Sequence, residues 1–127
     1  MNKTRRDKVL PSRTVHAETG CGKLYTTCVH KGKQIVEVDL YMGKMGGCSS
    51  ASLKALSSVI SISLQTGASI DHIIDKLSGI SCHKPIAERD EHDRVISTNG
   101  TIHTNKSCAD SVAKSIKYIK KQLDKEV

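Results

Sequence analysis

Residues 24–41 read LYTTCVHKGKQIVEVDLY, two runs rich in β-branched and aromatic residues on either side of Lys31-Gly32-Lys33. Such runs favour extended backbone, and a short glycine-centred break between them signals a hairpin. Ile35, Val36, Val38 and Leu40 are the apolar positions of the returning run. Upstream, Thr14 to Glu18 adds a further strand through a Thr19-Gly20-Cys21-Gly22 turn, so residues 13–41 are expected to form a small antiparallel sheet. Residues 1–12 are polar and basic and are expected to be a flexible arm, with the domain proper over 13–125.

Downstream the period changes from two to 3.6. After a Gly-rich turn at 42–48, Leu53, Leu56, Ile60 and Leu64 predict a helix near 49–66, with Ser49 or Ser50 as its cap and Gly67 at its end. Ile70, Ile73, Ile74 and Leu77 predict a shorter helix over 69–78. Residues 81–93, charged and without an apolar period, read as a loop. Asn99-Gly100, flanked by β-branched residues, predicts a type I′ hairpin. Ser107-Cys108-Ala109-Asp110 has the form of a capping box and opens a helix over 107–124, with Val112, Ile116, Ile119 and Leu123 as its core stripe. Lys114, Lys117, Lys121 and Lys125 are expected on its solvated side. The fold class is therefore α+β: a small antiparallel sheet and hairpins packed with three helices in one domain.

At 127 residues and 13.8 kDa the chain has material for one core. No apolar run approaches the roughly 18 residues of a membrane span, and the charged N-terminal stretch has no hydrophobic region of a secretory signal. A cytoplasmic location is expected. The net charge of +7 favours anionic partners. Yet there is no Trp or Phe and only Tyr25, Tyr41 and Tyr118, too few aromatics for the stacking platforms that hold single-stranded nucleic acid. Nucleic acid is a poor partner on that ground, and a small phosphate-bearing ligand a better one.

No hydrolase or transferase signature is complete, so a binding role outweighs catalysis. The titratable residues of the loop from Cys82 to Arg94 keep a cyclic-nucleotide-cleaving enzyme as a third class. Two helix starts offer anion sites through free amides and hydroxyls: Gly46-Gly47 with Ser49, and Lys106-Ser107. Plain capping is the commoner fate of such serines. Lys84, Arg89 and Arg94 are candidates to close on phosphates from the intervening loop, and Tyr25 or His83 to stack on a base. Cys21, Cys48, Cys82 and Cys108 each fall in a turn or at a helix start. They have no C-x-x-C knuckle, so zinc ligation and simple packing both stand as readings, and no cofactor is required. Cys28, in mid-strand, belongs to the core.

The strings TGCGKLYTT (19–27), MGKMGGCSSAS (42–52), LSGISCHKP (77–85) and KSCADSVAKSI (106–116) together resemble the TSCPD domain. Ala109 stands where the family's namesake motif has proline. The resemblance covers residues 13–123 and implies that Cys21, Cys48, Cys82 and Cys108 are the characteristic cysteines, with metal binding as one implied role. The domain is known as the C-terminal module of adenosylcobalamin-dependent ribonucleotide reductases, whose catalytic barrel has no counterpart here. The chain is also similar to stand-alone phage proteins of the Thoeris anti-defence type, which sequester cyclic ADP-ribose signals. That resemblance implies a non-enzymatic homo-oligomer holding the nucleotide between protomers. An auxiliary zinc-binding module of a reductase is the alternative it implies.

Overall fold

The computed structural model describes residues 8–43, 47–82 and 85–126, with the backbone alone for 47–50. Three strands, β1 (Ser12–Thr19), β2 (Gly22–Lys31) and β3 (Gln34–Met42), form an antiparallel sheet in the order β1-β2-β3. Thr19 pairs with Gly22 across the first turn and Lys31 with Gln34 across the second. The second ladder is interrupted: Val29 faces Glu37 but His30 faces Ile35, so Val36 is the extra residue of a β-bulge. The bulge puts Ile35 on the same covered face as Val38, Leu40 and Met42 although the spacing between Ile35 and Val38 is odd.

Helix α1 (Gly47–Gln65) runs back along β3. It starts two residues before the expected position, so Ser49 and Ser50 lie within its first turn and neither is the cap. Its end follows expectation. Gly67 takes φ +103°, and the bonds Ala68 N–H to Ser63 O (2.8 Å) and Gly67 N–H to Leu64 O (3.2 Å) make a Schellman closure. Helix α2 (Ile70–Leu77) follows, and α3 (Cys108–Lys125) packs across β1, β2 and α2. Leu24, Cys28, Val38, Val112, Ile116 and Ile119 are fully buried in one core, joined by Leu53 and Ile60 from α1, with Leu56 and Leu64 partly covered.

Strand β3 is a sheet edge, and α1 closes it with hydroxyls. The Val38 N–H donates to Ser61 Oγ (3.1 Å), while Val38 O accepts from Ser57 (2.7 Å) and Ser61 (3.0 Å). A serine-rich helix face thus satisfies backbone groups that an exposed edge would offer to another strand.

Between α2 and α3, residues 85–105 are more ordered than a loop. Strands β4 (Ile86–Ala87) and β7 (Thr104–Asn105) pair, Arg89 bridges to Val95, and β5 (Ser97–Thr98) with β6 (Thr101–Ile102) makes the hairpin at Asn99-Gly100. Both turn residues have positive φ, as type I′ requires. Periodicity missed β4 because two-residue strands carry none. Lys114 also departs from the solvated lysine face. It bonds Thr104 O, pairs with Glu88 (3.3 Å) and Asp110 (3.4 Å), and so ties this arm to α3. Lys117, Lys121 and Lys125 are exposed as expected.

Candidate functional site

The sheet's uncovered face carries a row of rings. His16 pairs with Tyr25 across β1 and β2, and Tyr25 with Tyr41 across β2 and β3. Adjacent ring centroids lie 6.0 Å apart at tilts of 51° and 44°, within the range of favourable aromatic pairs. Tyr25 is half-buried between its neighbours, whereas Tyr41 is 66% exposed at the end of the row.

Beside Tyr41 the backbone of β3 and the first half of α1 leave a groove of about 360 Å³. Asp39, Leu40, Tyr41 and Met42 form one wall, and Leu53, Lys54, Ser57 and Ser58 the other. The volume falls at the lower end of ligand-site sizes. A methyl group built on Gly43 would lie 3.7 Å from Tyr25 Cε2, so the chain leaves β3 for α1 directly beside the ring row. An anion in the groove meets Lys54 on one wall and Asp39 on the other, so it must favour the helix side.

The start of α3 is built differently. Ser107 is the N-cap: its hydroxyl accepts from Asp110 N–H (3.1 Å) and donates to Ile80 O (2.6 Å). The reciprocal arm of the box lands one residue earlier than in the Glu form. Asp110 Oδ2 accepts from Lys106 N–H (3.0 Å), and Oδ1 takes Gly79 N–H (2.8 Å) from the end of α2. Burial pushes the Asp110 carboxyl up, but those two amides and the Lys114 ammonium outweigh it and hold the group below the usual carboxylate range. The Lys106 and Asp110 amides and the Ser107 hydroxyl are thus engaged within the chain, the negative charge at this helix start being its own.

Cys21, Cys82 and Cys108 gather at this end of the sheet. Cys108 opens α3, Cys21 sits in the β1–β2 turn, and Cys82 N–H donates to Lys106 O (2.8 Å). Thr19 Oγ1 lies 3.6 Å from Cys108 Sγ. Burial pushes the Cys108 thiol up, and Cys21 and Cys82 beside it add to the shift against the opposing bond to Thr19. The three thiols are near enough to feel one another, yet among the described residues no three His, Cys, Asp or Glu side chains stand in a geometry that holds a metal ion. The side chain of Cys48 lies outside the described residues. Cys28 is separate, and burial foremost pushes its thiol up to about 12.

Of the other residues singled out from sequence, Gly47 is the first residue of α1, and the side chain of Ser49 and all of Gly46, His83 and Lys84 lie outside the described residues. Arg89 and Arg94 belong to the arm. Arg89 donates to Asp93 O (2.9 Å) and Arg94 Nε to Asp90 Oδ2 (3.2 Å). Asp90 organises that turn: the Arg94 and His92 amides on its carboxylate hold it below its ordinary range. Among the described residues, none of the arm lines the groove. Lys54 is not among the residues singled out from sequence, and the ring row joins His16 and Tyr41 to the candidate Tyr25. Equal spacing about a plain two-residue turn would set Tyr25 opposite Leu40, so only the bulge brings the two tyrosines together.

The fold and its motifs define a small α+β module closed by a cysteine- and aspartate-bearing helix start. The chain belongs to the TSCPD domain family, whose model matches residues 2–120. No curated protein and no solved structure matches it significantly. Among the described residues, no helix is long and apolar enough to cross a membrane.

Proposed function

We propose that the protein binds a small phosphate-bearing nucleotide of the cyclic ADP-ribose type and sequesters it in the cytoplasm without altering it, as a phage anti-defence sponge does. The observation that carries this reading is the His16–Tyr25–Tyr41 row running into the β3–α1 groove. A chain with three tyrosines and neither Phe nor Trp places two of them in one row on the uncovered face of the sheet. A nucleobase stacks on such a surface with about 1–3 kcal/mol per ring contact. Lys54 supplies a cation on the groove wall. The carboxylates of the arm support binding over catalysis: Asp90 is spent on a turn and Glu88 on Lys114.

Calorimetric titration with cyclic ADP-ribose isomers tests the reading, followed by heat denaturation and chromatography of the released ligand. Saturable binding and intact recovery support sequestration. An altered product makes the protein an enzyme, and no binding by any isomer refutes the nucleotide reading. The approach of Cys21, Cys82 and Cys108 favours a second reading, an auxiliary zinc module of a cobalamin-dependent reductase. One equivalent of zinc in protein purified without added metal would establish it over the first.

A further inference from the structure

Cys21, Cys82 and Cys108 are distant in sequence, yet the fold gathers them at one end of the sheet, each half-buried. Within this group Cys21 and Cys108 make a pair. The buried Thr19 hydroxyl joins them: it accepts from the Cys21 N–H (3.2 Å) and touches Cys108 Sγ (3.6 Å). A further bond, to Gly22 O (2.8 Å), fixes that hydroxyl inside the turn. Both cysteine side chains pack on the margin of the same core. The Cys21 thiol acts on Cys108 by hydrogen bonding as well as by charge, the Cys82 thiol by charge alone. Cys82 is tied to this end through its backbone, its N–H donating to Lys106 O (2.8 Å).

A metal site needs several donors arranged about one point, whereas a disulfide needs only two sulfurs that can close to about 2.05 Å. The two elements that carry this pair differ in how freely they move. Cys21 sits in a two-residue turn between Gly20 and Gly22, the latter at φ +139°, so the turn can adjust at little steric cost. Cys108 is the first residue of α3, and the Ser107 cap and Asp110 hold that helix start in place. A thiol on an adjustable turn thus stands beside one on a fixed helix. In a reducing compartment such a pair rests as two thiols and closes only when an oxidant arrives.

We propose that Cys21 and Cys108 form a dithiol site that small-molecule disulfides of the glutathione type oxidise reversibly. One protein thiol, as thiolate, attacks a sulfur of the small disulfide, whose S–S bond breaks as a mixed disulfide forms, and one glutathione leaves with the proton. The second protein thiol then attacks the protein sulfur of the mixed disulfide, and the second glutathione leaves in the same way. The protein gives up two protons and two electrons, and the small disulfide is reduced to two thiols. The new bond ties the β1–β2 turn to the start of α3 across a long loop, which raises Tm by roughly 10 °C. Neither a nucleotide nor a metal enters the proposal, so it stands apart from both readings above.

The test uses the full chain, freshly reduced and kept in a chelator, then equilibrated over a series of glutathione disulfide to glutathione ratios. Acid quenching, alkylation in denaturant and intact mass count the remaining thiols. The wild type should pass from five alkylated cysteines to three with no glutathione retained, and dithiothreitol should restore all five. Peptide mapping without reduction should join Cys21 to Cys108. Cys21→Ser and Cys108→Ser should each stop at a glutathione adduct, whereas Cys82→Ser should still lose two thiols. Circular dichroism checks folding, and should a variant unfold, the linked peptide of the wild type decides. Five alkylated cysteines at every ratio, a lasting glutathione adduct on the wild type, linkage through Cys82 or between chains, or closure in Cys21→Ser would each overturn the proposal.

Discussion

Replacing Asp110 probes the joint between α2, the arm and α3 more sharply than any other single change. The carboxylate is 3% exposed and accepts two amide hydrogen bonds, from Lys106 and Gly79, with Lys114 beside it. Net contributions of hydrogen bonds to a charged acceptor run at about 1.5–3 kcal/mol each. The Lys114 pair adds less than about 1 kcal/mol, because the ammonium is 35% exposed and screened. Removing the side chain orphans both amides, though water entering the gap recovers part of the loss. Asp110→Ala is therefore expected to cost about 3 kcal/mol, which at this chain length lowers Tm by roughly 10–15 °C.

Asp110→Asn separates charge from shape. Its oxygen can accept one amide, but its NH2 group then faces the other donor, so about half the loss is expected. The pH dependence follows from the sign of the shift. A carboxyl depressed in the folded state contributes stability that is fully present above its unfolded pKa of about 3.9 and disappears as pH falls through the depressed folded value. The gap between wild type and Asp110→Asn in urea unfolding should accordingly be constant from neutral pH to about pH 5 and close in more acid solution. Two results would refute this account: an Asn variant as stable as wild type at neutral pH, or a gap that persists undiminished in strong acid.

Four further outcomes are expected. Tyr25→Ala and Tyr41→Ala should each weaken nucleotide binding by about 1–3 kcal/mol in calorimetry, and Lys54→Ala should weaken it as well, whereas Lys121→Ala on the outer side of α3 should not. Arg94→Ala, which disrupts only its contact with Asp90, should leave affinity unchanged if the groove holds the phosphates, and a tenfold loss there would move the site to the arm. Cys28 should resist a thiol reagent in the native protein and react on denaturation, since its burial and raised pKa leave almost no thiolate; labelling followed by peptide mass analysis reads this out. Ser61→Ala should cost about 1–3 kcal/mol in chemical unfolding, because it strips the acceptor from the edge amide of Val38.

Much of the architecture was legible in the residue pattern because it rests on local causes. Leu53, Ile60, Val112, Ile116 and Ile119 are buried where helical periodicity puts them. Asn99-Gly100 and Gly67 take positive φ where their chemistry permits it, and Ser107 caps α3. The family, too, was readable from four separated motifs. What needed tertiary structure were features decided by distant partners. The bulge at Val36 sets the register that aligns Tyr25 with Tyr41, and no hairpin rule reveals it, because the extra residue is tolerated only where the core requires Ile35 and Val38 on one side. Lys114 looks like one more solvated lysine until Glu88 and Thr104 arrive from the arm. The Lys106-Ser107 helix start looks open to an anion, yet the Asp110 carboxylate already takes the Lys106 amide, and the Ser107 hydroxyl is held between Asp110 N–H and Ile80 O. Periodicity reports which side of an element is buried; which particular atoms meet there depends on packing between segments far apart in the chain, and the ring row and the groove are products of that packing.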